Sequence, residues 1–134
     1  MIKNKKVLAI TLARGGSKTV PNKNIKKILG KPLISYTIKE VLKSKYIDDY
    51  IVSTDSKKIA TVAKKYGAVV PFMRPKNIST DKATPQDALL HALNKFEKLT
   101  NKKFDYIVEI MCTNPLKNCY DIDTCIKKLH KTKS

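Results

Sequence analysis

The stretch LARGGSKTVPNKN, residues 12–24, holds the side chains best suited to bind an anion. Gly15 and Gly16 permit positive φ angles and close backbone approach, so successive N–H groups can point into one concavity. The cations of the stretch are Arg14, Lys18 and Lys23. Backbone donors combined with positive charge suit phosphate oxygens. The residue types therefore predict a phosphate-binding loop.

This loop fits neither of two well-known phosphate-binding motifs. A Walker A motif requires glycine directly before its lysine, whereas Ser17 separates Gly16 from Lys18. A dinucleotide fingerprint leads straight into a helix, and Pro21 interrupts that path here. The alternative interpretation is a solvated loop whose glycines serve only a tight turn.

The charge of the chain raises the question of a polyanionic partner. The formal net charge is +17 on 134 residues, which is typical of proteins that bind nucleic acid. However, only Arg14 and Arg74 among the 28 basic residues are arginines, and the lysines form no continuous tract interleaved with aromatic residues. We therefore expect no nucleic-acid partner. A non-catalytic basic module that binds phosphate, a nucleotide or nucleic acid remains the alternative to an enzyme.

The rest of the composition predicts a single cytoplasmic domain over residues 1–134. No apolar stretch resembles a signal peptide or approaches the roughly 20 residues of a membrane helix, so we expect no membrane partner. The three cysteines form no CxxC pair and are expected to be free thiols. They are Cys112, Cys119 and Cys125.

Alternating strand and helix patterns must position the loop. Short runs rich in β-branched and aromatic residues predict strands at 7–13, 50–54, 68–72 and 104–111. Amphipathic stretches between and after them predict helices at 32–45, 56–67, 84–99 and 121–131. The second of these begins with Ser56, which suits a helix cap, and ends at Gly67, which suits a helix stop. Such alternation predicts an α/β fold in which helices cover both faces of a parallel sheet.

In sheets of this type, ligands bind beyond the carboxyl ends of the strands. The loops expected there are 14–24, 55–56, 73–84 and 112–118. Asp55 lies in one of them, where its carboxylate suits either a divalent cation or the cap of the next helix, and capping is the preferred interpretation. His91 and His130 fall inside helical patterns and are interpreted as structural.

Three stretches, in order, resemble one known family. They are LARGGSKTVPNKNIKKILGKPLISYTI, IVSTDSKKIATVAKKYGAVVPFMRPKNISTDKATPQDALLHAL and MCTNPLKNCYDID. The family is the acylneuraminate cytidylyltransferases, also called CMP-sialic acid synthetases. The resemblance implies a three-layer α/β/α fold of the nucleotide-diphosphosugar-transferase type, which is Rossmann-like. It also implies transfer of CMP from CTP to the anomeric hydroxyl of a nonulosonic acid, with Mg²⁺ or Mn²⁺ as cofactor and a homodimer at full length.

The resemblance further implies which residues bind the nucleotide. They are Leu12, Ala13, Arg14, Gly15, Gly16, Ser17, Lys18, Lys23, Asn24, Arg74 and Thr84. Arg14, Lys18 and Lys23 are also the catalytic candidates, because the reaction requires cations that neutralise the negative charge of a triphosphate. Ser17 is expected to donate a hydrogen bond to phosphate. The amide of Asn24 suits the base or the ribose.

The sugar-binding segment MCTNPLK, residues 111–117, departs from the QPTSPLR of many family members. Met111 stands where those members have a glutamine that contacts the sugar, and a thioether cannot replace an amide's donor and acceptor. Thr113 and Asn114 are the candidates for the missing polar contacts. We therefore expect a different nonulosonic acid, of the legionaminic or pseudaminic type.

The metal ligands are the second departure. The family's acidic metal-binding pair lies later than the last residue here, so we expect the chain to be an N-terminal portion, incomplete at its C-terminus. Asp121 and Asp123 resemble that pair but are interpreted as caps of the helix at 121–131. Asp55 is then the one candidate for a metal ligand.

Overall fold

A computed structural model describes residues 5–13, 27–28, 31–74 and 85–110. In chain order their elements are β1 (Val7–Leu12), β2 (Lys27–Ile28), β3 (Lys31–Pro32), α1 (Leu33–Leu42), β4 (Asp49–Ser53), α2 (Lys57–Lys65), α3 (Pro85–Thr100) and β5 (Tyr106–Glu109). The short strands β2 and β3 form an antiparallel pair. The predicted helix at 121–131 lies outside the described residues.

The main sheet is parallel and has the order β4-β1-β5. Ile10 in the central strand β1 is in register with Ile51 of β4 on one side and Glu109 of β5 on the other. The run VLAI at the start of β1 is fully buried. An unbroken apolar run is typical of a parallel strand covered on both faces.

Two apolar clusters confirm the predicted helical layers on both faces of the sheet. Because successive strand side chains point to opposite faces, Val7 and Ala9 pack with α1 and α2 residues, whereas Leu8 and Ile10 pack against α3. The α1 and α2 members of the first cluster include Ile34, Ile38, Val41, Ile59 and Ala63. The α3 members of the second include Ala92 and Phe96. The fold is thus the expected three-layer α/β/α arrangement.

Local signals explain where the helices begin and end. α1 and α3 begin at or directly after a proline, whose fixed φ suits a first helical turn. The C-cap of α2 is Tyr66, and Gly67 follows it with a φ of 101°, which favours glycine. Asn101, directly after α3, also has a positive φ of 57°. The three predicted helices within the described residues are therefore confirmed, with ends shifted by a few residues.

The predicted strand at 68–72 is wrong in extent. The structure shows only a single parallel bridge there, between Val69 and Ile51, with Val52 N donating to Val69 O at 2.9 Å. Pro71 has no N–H group and cannot continue a ladder, so pairing stops after one bridge. This segment nevertheless places residues 69–74 along the outer side of β4.

In the part of the chain that the structure describes, none of the helices combines the length and hydropathy of a membrane span.

Candidate functional site

The carboxyl ends of β1 and β4, together with the 69–74 segment, form one edge of the sheet, called here the carboxyl edge. Ala13 N donates to Ser53 O at 2.9 Å, and Arg74 N donates to Thr54 O at 2.8 Å. Ile110 N donates to Ile10 O at 2.9 Å, which brings the end of β5 to the same edge. These backbone hydrogen bonds therefore align the described residues that lead into the four loops predicted from the sequence to hold ligand.

The strand order places a topological switch point beside β1. From β1 the chain passes through α1 to β4 and through α2 to the 69–74 segment, all on one side of β1. It then crosses by α3, on the other face, to β5 on the opposite side of β1. In open α/β sheets, ligands bind in the crevice outside the strand ends at such a switch point. The predicted phosphate loop follows Ala13 in sequence, so it begins at this crevice.

Leu12 and Ala13 lie at the edge as predicted, but they are differently exposed. Leu12 is half-buried and packs against the α3-facing cluster, whereas Ala13 is fully buried in the opposite cluster. An enclosed alanine methyl cannot reach a ligand in solvent. Any contact of Ala13 with a nucleotide is therefore expected through its backbone carbonyl, and its binding role remains a prediction.

Arg74 also lies at the carboxyl edge, with only 6% of its surface exposed. A guanidinium stays charged at every physiological pH and presents planar donors that match phosphate oxygens. Arginine is rarely buried unless its charge is matched, so a buried arginine at this edge is an unusual feature of the fold. The structure thus holds the arginine at the edge where the sequence predicted it, while its role towards a nucleotide remains a prediction.

A cluster that sequence reasoning missed joins the 69–74 segment to α3. The rings of Phe72 and His91 meet edge to face, with centroids 5.3 Å apart and planes 83° apart. Burial, with the positive charges of Lys95 and Arg74, lowers the pKa of His91 below its usual 6.5. The imidazole is therefore neutral at pH 7. His91 was expected to be structural, and the structure adds that its ring packs against the segment that carries Arg74, a candidate ligand-binding residue.

Two polar atoms near this edge stand out because they are buried without hydrogen bonds. Within the described ranges, Ser53 Oγ and His91 Nδ1 have no hydrogen-bond partner. Such groups are few in native proteins, since each forfeits its hydration on burial. Neither could be identified from sequence, because both result from packing between distant segments.

The turn between β4 and α2 corrects the interpretation of Asp55 as a helix cap. Ser56 has extended backbone angles, and its Oγ accepts a hydrogen bond from Ile59 N at 3.2 Å. Thr54 Oγ1 accepts from Ser56 N at 3.1 Å and fixes the same turn. The N-cap of α2 is therefore Ser56, and Asp55 precedes it as a half-buried carboxylate at the carboxyl edge.

Among the residues that the structure describes, no three His, Cys, Asp or Glu side chains are grouped so as to hold a metal ion. A single carboxylate such as Asp55 still fits Mg²⁺, which commonly takes one or two protein carboxylates together with water and substrate phosphates. The assignment of Asp55 to a metal therefore stays a prediction.

The remaining predicted site residues lie outside the described residues. In the nucleotide site these are Arg14, Gly15, Gly16, Ser17, Lys18, Lys23, Asn24 and Thr84, and in the sugar site Met111, Thr113 and Asn114. Their roles remain predictions.

α3 also lines an open groove of about 710 Å³. Its described lining residues are His91, Asn94, Lys95, Glu97, Lys98, Asn101 and Lys103. Lys103 Nζ lies 3.6 Å from Glu97 Oε1, so one of these lysines is paired with the acidic residue of the groove. The groove shares His91 with the Phe72 contact but otherwise runs along α3, so it is not part of the carboxyl edge.

Comparison with known proteins gives a family match over nearly the whole chain. A sequence model of the family described as "Cytidylyltransferase" matches residues 8–134. A pseudaminic acid cytidylyltransferase of Campylobacter jejuni subsp. jejuni is 43% identical over 113 residues, covering 84% of this chain and 48% of that protein. A CMP-N,N'-diacetyllegionaminic acid synthase of Legionella pneumophila is 37% identical over 126 residues, covering 94% of this chain and 53% of that protein. The chain thus spans about half the length of the curated relatives it matches.

Among solved structures, CMP:2-keto-3-deoxy-manno-octonic acid synthetase complexed with CTP superposes with a TM-score of 0.81. The match covers 97% of this chain and 49% of that one, at 20% sequence identity. At that identity, the likeness concerns the fold alone. It confirms the nucleotidyltransferase-type α/β architecture expected from the sequence.

Proposed function

Because the chain belongs to the cytidylyltransferase family, we propose that it binds CTP at the carboxyl edge and that the whole protein transfers CMP to a nonulosonic acid. The anomeric hydroxyl oxygen would form a bond to the α-phosphorus of CTP. The bond from that phosphorus to the bridging oxygen would break, pyrophosphate would leave, and the hydroxyl proton would pass to solvent or a base. The observation that best supports this site is the alignment of Ala13 and Arg74 with the end of β4 by backbone hydrogen bonds.

In this proposal the chain's main chemical contribution is positive charge. Arg14, Lys18 and Lys23 would neutralise charge that develops on the phosphates during the transfer. Ser17 would donate a further hydrogen bond, and Asn24 would contact the base or ribose. Arg74, as part of the 69–74 segment, would approach the nucleotide from the side of β4 that faces away from β1. Its guanidinium would then act as a fixed rather than a mobile cation, because the surrounding fold encloses it.

We also propose Mg²⁺ or Mn²⁺ as the cofactor. Asp55 would supply one carboxylate oxygen, because it is half-buried at the carboxyl edge and does not cap α2. The ion, when bound, would withdraw electron density from the phosphates. A homodimer is proposed for the whole protein on the basis of the family resemblance.

For the sugar, we propose a pseudaminic- or legionaminic-type acid in preference to N-acetylneuraminate. The support is twofold: Met111 stands where many family members have a sugar-contacting glutamine, and two relatives carry names that specify these two acids. Thr113 and Asn114 would supply the polar contacts. The N-acylneuraminate type is the alternative within the same reaction class.

The test is pyrophosphate release by the whole protein from CTP with Mg²⁺ and each of three acids in turn: pseudaminic, N,N'-diacetyllegionaminic and N-acetylneuraminic acid. We expect release with at least one of the first two and markedly less with the third. Equal release with all three would contradict the proposed sugar preference. Release with none of them would contradict CMP transfer.

A further inference from the structure

The 69–74 segment is attached to the rest of the fold in two different ways. On the β4 side, two backbone hydrogen bonds hold it, Val52 N to Val69 O and Arg74 N to Thr54 O. On the α3 side, a side chain makes the attachment: Phe72 packs against the α3-facing cluster and meets the ring of His91 edge to face. The attachment to α3 therefore lies two residues before Arg74.

His91 is an unusual choice for such a packing role. Its Nδ1 is buried and, within the described part of the chain, has no hydrogen-bond partner. A buried polar atom without a hydrogen bond forfeits its hydration, a cost that an aliphatic or phenyl side chain would avoid. Besides burial, two positive charges disfavour protonation of the ring: that of Lys95 on α3 and that of Arg74 on the 69–74 segment. The ring consequently packs as an uncharged aromatic group within the electrostatic range of the Arg74 cation.

We propose that His91 is a positioning residue for Arg74: its ring, packed against Phe72, holds the 69–74 segment so that the Arg74 side chain can reach a bound nucleotide. This inference rests on the proposed function, because it requires Arg74 to bind CTP. His91 itself does not touch the reacting atoms in this account. Its effect on binding depends entirely on the presence of the Arg74 side chain.

A double-mutant cycle tests this dependence with CTP affinity, measured by isothermal titration calorimetry on the full chain. We expect Arg74→Ala to weaken CTP binding at least tenfold and His91→Ala to weaken it about fivefold to tenfold. In the Arg74→Ala background, His91→Ala should change the affinity less than twofold, since residues that act through one another are not additive. Additive losses would overturn the inference.

Two further variants separate positioning from a general loss of packing. His91→Phe keeps a ring against Phe72 and should restore CTP affinity to within twofold of the unmodified chain. Phe72→Leu removes the other ring of the contact and should reproduce the loss seen in His91→Ala, which keeps the test valid if His91→Ala fails to fold. Failure of His91→Phe to restore affinity, or unchanged affinity in Phe72→Leu, would contradict the proposed role.

The matched control is Phe96→Leu, which alters a buried α3 ring in the same cluster, stacked on Phe104 and not on Phe72. It should lower stability without changing CTP affinity.

The outcomes also separate the role of His91 from the proposed function. If the unmodified chain shows no preference for CTP, the proposed function fails. The role of His91 alone fails under three joint results: the chain prefers CTP, Arg74→Ala weakens CTP binding, and the losses of affinity from Arg74→Ala and His91→Ala add.

Discussion

At the scale of single residues, the carboxyl edge of the sheet gathers candidate ligand-binding residues from separate parts of the chain. The structure places Leu12, Ala13, Asp55 and Arg74 along one edge of the sheet, although they come from three separate segments. Their common placement was predictable, because each lies at or just beyond the end of a predicted strand and parallel strands end at the same edge of a sheet. The contact between Phe72 and His91 was not predictable, since residues far apart in sequence meet only after α3 packs on the sheet.

Arg14 is the residue on which the phosphate prediction depends most. Arg14→Ala should weaken CTP binding at least tenfold, because hydrogen bonds from a charged donor are stronger than neutral ones. Isothermal titration calorimetry measures the change. Lys58→Ala, which removes the same charge from an exposed position on α2, is the control and should leave affinity nearly unchanged. Equal effects of the two substitutions would mean that only overall charge matters.

His91 should make stability depend on pH. Its pKa in the folded chain is lowered by burial and by the charges of Lys95 and Arg74, so between that value and 6.5 the unfolded chain binds more protons. Stability is therefore fully present above pH 6.5 and falls as the pH drops towards the lowered pKa. Urea unfolding at pH 7.5 and 5.0 should show a larger loss for the unmodified chain than for His91→Phe. An identical loss in both would contradict a lowered pKa.

At the scale of elements, helices were better predicted from the sequence than the outer strand. α2 carries a serine cap and a terminal glycine, and the structure uses both. The segment 68–72 has a strand-like composition, yet Pro71 limits it to one bridge. The serine at the start of the 56–67 pattern was correctly predicted as the cap, whereas the preferred interpretation of Asp55 as a cap was wrong. Both side chains can accept the same hydrogen bond, and the backbone geometry decides between them.

The cap of α2 gives a prediction about stability. Ser56→Ala removes the acceptor for Ile59 N and should lower the free energy of unfolding by about 0.5–2 kcal/mol. Asp55→Ala should cause a smaller loss, since Asp55 is not the cap. Urea unfolding of both variants measures the difference. A larger loss for Asp55→Ala would contradict the assigned cap.

The packing of α3 on the sheet gives a second prediction at this scale. Phe96 is 5% exposed, and Phe96→Ala should cost about 3–5 kcal/mol through lost burial and the cavity left behind. Leu99 lies one turn later on the same helix and is 57% exposed. Leu99→Ala should therefore change stability by less than about 0.5 kcal/mol. Thermal or urea unfolding measures both losses of stability. Similar losses for the two variants would contradict the orientation of α3.

At the scale of the whole molecule, the alternation of strands and helices was enough to predict a three-layer fold with a parallel sheet. The order β4-β1-β5 adds what periodicity cannot supply, namely that β1 is central and that the chain changes direction beside it. Residue periodicity reports which faces are buried, not which strands are neighbours. The position of the switch point explains why the loop after β1, rather than the groove along α3, is the proposed nucleotide site.

The central claim is that this chain forms a site selective for CTP. The most direct measurement is calorimetric titration of the chain with CTP, UTP, ATP and GTP under identical Mg²⁺ and salt conditions. We predict CTP binding at least tenfold tighter than that of each other nucleotide, with a weak dependence on salt. Equal affinity for all four, falling steeply as salt rises, would contradict the claim and indicate a basic module that binds polyanions by charge alone.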